Sequence, residues 1–503
     1  MSLKRNVIAN YLGQGWAALM GIAFVPLYIL VLGMEAYGLI GVFAILQAAV
    51  ALLDLGLTPT LTREMARLRA GAHTPESIRD LLRSLELLYF LLTAGMVLTV
   101  WFCAPWMTEE WLRVKGLPPS FVVRSIQIMG FVLATRWLEQ VYRGALQGLQ
   151  DMVWLNGTQA VLATLRWGGA YAVLVLVSPT ITAFFAWQGL VSILTVLILV
   201  HRTYRLLPGS QRPARFDLSS LSEIRGFAGG MFFGSLLGFL LMQADKIVIS
   251  KTLPLEQLGY YTLAATGAGG LLQLITPMNT AVFPRLTEHV ARSEPKALAG
   301  AYIRSCEWMA AAIVAPALVL TFFAEPTLLL WTGDAPLSRS VAPLLSLLAL
   351  GTLLNGLMNL PYMLQLAHGW ISFSVKTNLI AVSVVVPVLL WAVPRYGSIG
   401  AASVWVALNV SYILVGAHFM HRKLLPDVKR RWYKVAVVGP LLAGGAMAVL
   451  VRATVPTPES RASAGLVVLS AGIAVALAVW SVLPAVRSTV SAVIKGVAKS
   501  RQT

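Results

Sequence analysis

The chemistry open to this chain rests on a few ionisable residues set inside long apolar stretches: Arg136, Arg166, Lys246 and Lys376 against Asp54, Glu139 and Asp245. A charge in such a place costs roughly 2.5–3.5 kcal/mol on membrane-insertion scales unless it is paired or wetted, so each is a candidate for function. Arg136, Gln140, Arg143 and Gln147 recur on one helical face. Glu139 lies three residues after Arg136 and four before Arg143, so one acid can offset two bases within a helix-internal network, unless the bases face a ligand. Arg166 has no acid within reach on its own helix and shares a face with Asn156 and Gln159. Its partner is another helix, water or an anionic ligand, and a guanidinium grips phosphate or carboxylate bidentately. Asp245 and Lys246 read either as a local ion pair or as groups facing a cavity. Asp54 reads as an acceptor of a proton or cation, or as the partner of Arg63 or of an arginine near 136–143. Lys376, about a turn inside its apolar stretch, reads as a side chain that snorkels to the interface.

Uncharged polar residues add two stripes at helical spacing. Asn6, Asn10 and Gln14 recur every four residues, and Asn355, Asn359, Tyr362 and Gln365 cluster around Pro361. Such amides either line a wet cavity or bond neighbouring helices. Gly226, Gly230, Gly234 and Gly238 are also spaced by four, a pattern that permits close helix packing. Pro277, with Gly267, Gly269 and Gly270, marks a bending point. The two cysteines, Cys103 and Cys306, fall at opposite membrane faces, the six histidines are scattered, and the spacing offers no metal-ligand cluster.

The elements that position these residues follow from composition. The chain has 503 residues, 57% hydrophobic and 12% charged, with a mean hydropathy of +0.75. Soluble proteins carry about a quarter charged residues. The apolar residues come in blocks of about 20, the length a bilayer-crossing helix needs. Soluble enzymes, disordered chains and disulfide-stapled domains are excluded. We read fourteen spans: 8–32, 39–61, 84–106, 121–143, 153–177, 180–200, 226–250, 260–284, 304–323, 341–366, 371–393, 398–420, 435–453 and 463–483. The first block is too long and too polar for a signal peptide and reads as the first span.

The formal charge is +18, and it is distributed by face rather than gathered into a nucleic-acid site. Of the 39 Lys and Arg residues, 27 fall on the side of the termini, 8 on the other and 4 within spans. The positive-inside rule then makes both termini cytoplasmic. The joints are too short for an extramembrane catalytic domain, and the sequence contains no phosphate-binding G-x-x-x-x-G-K-[ST] loop. Function must lie within the membrane.

The chain also repeats itself. Leu32-Gly33-Met34-Glu35-Ala36-Tyr37-Gly38 and Leu253-Pro254-Leu255-Glu256-Gln257-Leu258-Gly259 both read L-x-x-E-x-x-G. Each following span exits through a basic-acidic run, Thr62-Arg63-Glu64 and Pro284-Arg285-Leu286-Thr287-Glu288. Six spans separate the copies, so they share an orientation. The expected architecture is an all-α polytopic membrane protein of about fourteen transmembrane helices. Two six-helix bundles in parallel pseudo-symmetry surround a central cavity, with two appended helices. The boundaries are 1–205 for the first bundle, 206–225 for a cytoplasmic linker, 226–420 for the second bundle, and 421–503 for spans 13 and 14 with a cytoplasmic tail.

Pro26-Leu27-Tyr28, the first L-x-x-E-x-x-G, Leu53-Asp54-Leu55-Gly56-Leu57 and Thr62-Arg63-Glu64 together resemble the opening of Wzx-type polysaccharide flippases. These are the lipid-linked oligosaccharide exporters of the MATE-like (multidrug/oligosaccharidyl-lipid/polysaccharide, MOP) superfamily. Gln243-Ala244-Asp245-Lys246, Leu258-Gly259-Tyr260-Tyr261, Phe283-Pro284-Arg285-Leu286 and the run Arg143–Gln150 are similar to further family signatures. The resemblance covers about the first 430 residues. It implies a transporter, not an enzyme, of the bacterial inner membrane. Its cargo would be an undecaprenyl-diphosphate-linked glycan (an O-antigen, capsule or exopolysaccharide unit), moved from the cytoplasmic to the periplasmic leaflet by alternating access. Glycan polymerases or ligases would be its partners, alongside membrane lipid and without nucleic acid. No cofactor is implied beyond coupling to H⁺ or Na⁺. On that reading Arg166, Lys246, Arg136, Arg143, Asn10, Gln14 and Asn359 contact substrate, and Asp54, Asp245 and Glu139 serve coupling or structural ion pairs. The rival readings are a MATE-like cation exporter, which needs a net acidic, aromatic cavity where this set leans basic by one, a membrane glycan polymerase or ligase, which needs a large periplasmic loop, and a non-transporting scaffold.

Overall fold

Proline, glycine and capping residues decide where the apolar blocks become helices. The computed structural model describes residues 3–54, 56–210, 212–216 and 225–489, with the side chains of 3–10 and 225–232 excepted. Among the described residues the elements are helical, apart from one isolated bridge between Arg113 and Pro254. The chain divides into two compact units, 1–259 and 260–503.

The first unit contains α1 (Leu3–Ala23), α2 (Val25–Leu32), α3 (Met34–Ala51), α4 (Leu57–Arg69), α5 (Pro75–Trp106), α6 (Pro119–Gly148), α7 (Met152–Leu176), α8 (Ile181–Leu206) and α9 (Arg225–Thr252). Pro26 near the start of α2 lacks an N–H, and the helix steps at Phe24. Thr74 and Thr180 cap α5 and α8 by accepting from Ser77 N and Ala183 N. The heart of this unit is α6, which packs against α3, α4, α5 and α8.

The second span ends earlier than the sequence suggests. It was expected over 39–61, but α3 gives way to a 3-10 turn at Leu52–Asp54, and Gly56 adopts a left-handed φ of 82°. The chain then restarts as the separate, basic α4. The block stays rich in leucine through Leu61, so hydropathy alone hides the break. On the seventh span, a Cβ added at Gly234 or Gly238 would meet nothing, so this part of the glycine row makes no close helix contact. The side-chain surroundings of Gly226 and Gly230 lie outside the described residues.

The two L-x-x-E-x-x-G corners meet reciprocally. A Cβ on Gly38 would strike the Leu255 carbonyl oxygen, and a Cβ on Gly259 would strike the Met34 carbonyl oxygen. Met34 and Leu255 occupy the same place in the two motif copies, as do Gly38 and Gly259, so the contact has the symmetry of the repeat. Only glycine allows backbones to approach this closely. Glu35 completes its corner by accepting from the backbone N–H groups of Lys115 (2.6 Å) and Gly116 (2.9 Å).

Then α10 (Leu255–Gly269), which runs across the division, and α11 (Leu272–Ala291) replace the expected single span 260–284. The break falls at Gly269–Gly270, where the bending point was expected, and Gly270 N closes a tight turn onto Gly267 O (3.2 Å). Then follow α12 (Pro295–Phe322), α13 (Ala324–Thr332), α14 (Ala335–Ala367), α15 (Ile371–Ser411), α16 (Ala417–Leu424), α17 (Gly439–Thr454) and α18 (Arg461–Ser481). The core of this unit is α12, on which α14, α17 and α18 pack. Two polar contacts fasten the last spans to it: Trp480 Nε1 donates to Ala311 O (3.1 Å), and buried Glu307 accepts from Ala485 N (2.6 Å).

Among the described residues, twelve helical stretches are long and apolar enough to cross a membrane. One of them, Ile371–Leu424, has 54 residues. At 1.5 Å per residue that is about 80 Å of helix, far more than a hydrocarbon core of about 30 Å. Gly397, with φ 63° and ψ −151°, breaks it in two, as the expected spans 371–393 and 398–420 require. The protein is an all-α, multi-pass membrane protein.

Candidate functional site

Four residues of α6, Leu133, Arg136, Trp137 and Gln140, fall at i, i+3, i+4 and i+7 and so project from one face. With Gln47 of α3, Asp54 beyond its end and Thr58 of α4, they line a cavity of about 690 Å³. The early end of α3 and the turn at Gly56 bring Asp54 and Thr58 to it. Arg136 donates from Nη1 to Gln47 Oε1 (3.2 Å) and from Nη2 to Gln188 Oε1 (2.7 Å). Its guanidinium lies over the Phe43 ring, 5.0 Å from the centroid. Among the described residues no carboxylate pairs with it, and its Nε–H has no partner.

Glu139 was expected to offset Arg136 and Arg143 on its own helix. Its charge acts on both, but its ion pair is with Arg166 Nη2 of α7 at 3.1 Å, and Arg166 also reaches Thr195 Oγ1 of α8 (3.4 Å). The physical reason is burial. With side-chain exposures of 7% for Glu139 and 17% for Arg166, the carboxylate gains more from a facing guanidinium than from a neighbour along its own helix. Arg166 is therefore held by an acid of α6, and Arg136 is the guanidinium lining the cavity. Arg143 is half-buried with its Nε–H unpartnered. Three arginines thus share one glutamate in this part of the unit. The unpartnered buried nitrogens here, on Arg136, Arg143, Trp137 and Gln188, are all donors. A surplus of buried donors and of positive charge is an environment that an anion satisfies.

Asp54 accepts from Thr58 N (3.3 Å), from Thr58 Oγ1 and from Tyr89 OH (2.8 Å). The expected pairing with Arg63 or an α6 arginine does not form. Arg63 turns to Glu64 (2.8 Å), which also holds Arg67 (3.0 Å) and His73 (2.7 Å). Burial raises the Glu64 carboxyl, but the bonds from His73 and Arg63 and the charges of Arg67 and Arg63 outweigh it, leaving the group below the usual carboxylate range. Neutral donors suffice for Asp54 because the turn at Gly56 brings Thr58, in the first turn of α4, to hydrogen-bonding distance.

The remaining candidates lie elsewhere. Lys246 Nζ reaches Gln243 Oε1 (3.2 Å), and Asp245 accepts from the Lys246 backbone N–H (2.7 Å). Neither lines the arginine cavity. Gln14 sits exposed on α1, and the side chain of Asn10 lies outside the described residues. Asn359 of α14 accepts from Asn279 Nδ2 (2.8 Å) and donates to Asn355 O (3.0 Å), so this amide stripe both bonds its neighbours and lines a pocket of about 230 Å³ in the second unit. Lys376 is exposed. The sequence did not mark Gln47, Gln188, Thr58, Tyr89 or Trp137. Only Thr58, one turn from Asp54, and Trp137, next to Arg136, carried a signal.

Residues 3–290 match the family model described as polysaccharide biosynthesis protein. A Shigella flexneri protein described as "Putative O-antigen transporter" is 23% identical over 414 residues, covering 80% of this chain and 94% of that protein. Among solved structures, the lipid II flippase MurJ in an inward closed conformation superposes with a TM-score of 0.69 at 13% identity, covering 94% of this chain and 97% of that one. An inward-facing multidrug resistance MATE transporter of the MOP superfamily gives 0.63 at 14% identity, with coverages of 82% and 96%. At these identities the structural likeness establishes the fold.

Proposed function

Because this chain belongs to the polysaccharide biosynthesis protein family, we propose that it is a flippase for an undecaprenyl-diphosphate-linked oligosaccharide. It carries the lipid from the cytoplasmic to the periplasmic leaflet of a bacterial inner membrane, with both termini cytoplasmic. The observation that carries this reading is Arg136: a cation on a cavity wall, bonded only to neutral amides, with an N–H to spare. A diphosphate approaching it replaces one or both glutamine oxygens and meets no competing carboxylate on the guanidinium. Gln47 and Gln140, on the wall of the same cavity, offer amides to hydroxyls. The relative from Shigella flexneri, described as a putative O-antigen transporter, supports the same cargo class.

Transport needs no covalent chemistry. The headgroup enters the cavity, the lipid tail stays in the bilayer, and alternating access exposes the cavity first to one face and then to the other, with binding favouring the intermediate state. Asp54, in the same cavity, is our candidate for coupling to H⁺ or Na⁺. The test is binding of undecaprenyl diphosphate to the protein in nanodiscs. A hydrogen bond to a charged group contributes about 1.5–3 kcal/mol, so Arg136→Gln should weaken binding roughly ten- to a hundredfold. Unchanged affinity in Arg136→Gln overturns the assignment.

A further inference from the structure

Asn355, Asn359, Tyr362 and Gln365 of α14 follow one another at intervals of four, three and three residues, so they share one helical face. Within the second unit that face meets Ser374, Thr377 and Asn378 of α15 around the pocket of about 230 Å³. A ladder of amides fixes the wall. Asn279 Nδ2 of α11 donates to Asn359 Oδ1 (2.8 Å), Asn359 Nδ2 to Asn355 O (3.0 Å), and Asn355 Nδ2 to Asn409 Oδ1 (2.9 Å). Gln365, only 4% exposed, accepts from Ser374 Oγ (2.7 Å), and Asn378 accepts from Tyr412 OH (3.3 Å). These bonds occupy carbonyl oxygens. The amide nitrogens of Gln365 and Asn378, and the hydroxyls of Tyr362 and Thr377, have no protein partner among the described residues.

The lining decides what fills the pocket. No charged side chain lines it among the described residues, so nothing there offsets the charge of an ion. A hydrocarbon chain is refused as well, because it would strand the free amides and hydroxyls without partners. What fits is a neutral ligand that donates and accepts at several adjacent atoms. A sugar ring does both, since each hydroxyl gives one hydrogen and takes another. Its oxygens suit the N–H groups of Gln365 and Asn378, and its hydrogens suit the hydroxyl oxygens of Tyr362 and Thr377. Size limits the ligand further. Pockets for drug-sized molecules hold roughly 300–1,000 Å³, so this smaller one takes a single ring. We propose that the pocket is a sugar subsite, which seats one neutral ring of the glycan and selects which glycan is carried. A site built to hydrogen-bond a hydroxyl rejects analogues that lack it, so the pocket acts on specificity. The proposal rests on the lipid-linked glycan reading above. It leaves the diphosphate with Arg136 of the first unit and gives the sugar a seat in the second.

The test compares two probes on the full-length protein in nanodiscs: the lipid-linked glycan extracted from cells depleted of the protein, and undecaprenyl diphosphate, which carries no sugar. Wild type should bind the first more tightly. A neutral hydrogen bond contributes about two- to tenfold in affinity, so Tyr362→Phe/Thr377→Val should shrink that advantage by at least about fourfold. Binding of undecaprenyl diphosphate should not change. Both hydroxyls bond nothing in the protein among the described residues, so the melting temperature should match wild type. Gln365→Met, which removes the buried amide, should act in the same direction. Equal binding of the two probes by wild type, an advantage that survives the double variant, or an equal loss for both probes overturns the proposal. Arg136→Gln should weaken both probes by the same factor. If it weakens neither while the pocket variants lose the sugar advantage, the sugar subsite stands and the diphosphate assignment falls; the opposite pattern removes the sugar subsite alone.

Discussion

Replacing Glu139 by glutamine leaves the Arg166 guanidinium facing a neutral amide inside the first unit. Arg166 Nη2 stands 3.1 Å from Glu139 Oε1, and little of either side chain is exposed. At an effective dielectric constant of about 20, the attraction over that distance is about 5 kcal/mol. Desolvation of both ions offsets part of it, so breaking the pair from one side should lower stability by about 3 kcal/mol. Glu139→Gln/Arg166→Met also removes the guanidinium that the single variant strands and should recover part of that loss, Arg136 and Arg143 still lacking the glutamate they share. The assay is unfolding in mixed micelles titrated with dodecyl sulfate and followed by tryptophan fluorescence, for the wild type, both single variants and the double variant. The same four proteins also report on function. Because Arg166 is held by an acid and Arg136 lines the cavity, the double variant should still export glycan. A Glu139→Gln protein as stable as wild type, or a double variant no more stable than Glu139→Gln, would refute the pairing. A well-folded double variant without export would return Arg166 to the substrate.

Three further expectations follow from the geometry. Gly259→Ala places a methyl against the Met34 carbonyl oxygen and Gly38→Ala places one against Leu255, so each should destabilise the protein by about 1–3 kcal/mol through overpacking; melting temperatures no lower than wild type would show that the two corners do not meet. The depressed Glu64 carboxyl contributes stability that is fully present above its unfolded-state value of about 4.5 and is lost as pH falls through the lower folded-state value. Thermal unfolding between pH 6 and pH 3 should therefore decline less steeply in Glu64→Gln than in the wild type, and parallel curves would remove Glu64 from the acid response. Asp54→Asn keeps an oxygen for Thr58 and Tyr89 but cannot exchange a proton, so flipping in proteoliposomes should lose its dependence on an imposed H⁺ or Na⁺ gradient while binding persists; an unaltered gradient dependence would exclude Asp54 as the coupling group.

Hydropathy made the spans legible, because a bilayer imposes a length on every crossing. Even the division of the 54-residue stretch could be read, since Pro394, Arg395 and Gly397 interrupt the apolar run where the structure breaks it. The early end of the second span could not, because Leu57 and Leu61 keep the apolar pattern going past Gly56. The site divides in the same way. Spacing put Arg136 and Gln140 on one face of α6 and both line the cavity, a local property of one helix. The partners of the charges were not local. Glu139 and Arg166 lie 27 residues apart on different helices, and Arg136 and Gln188 lie 52 apart. A helical period cannot choose between a neighbour one turn away and a facing helix. Burial decides that choice, and it emerges only when the helices pack.

The account depends most on Arg136 as the contact for the lipid-linked diphosphate, and a leaflet assay in cells tests it directly. The protein is depleted, wild type or Arg136→Gln is restored at equal membrane level, and the glycan lipid is labelled from the periplasmic side. The account predicts that wild type restores periplasmic labelling, whereas Arg136→Gln leaves the glycan lipid on the cytoplasmic face. Full periplasmic labelling with Arg136→Gln would contradict the cavity assignment, and glycan that reaches the periplasmic face in depleted cells would contradict the flippase itself.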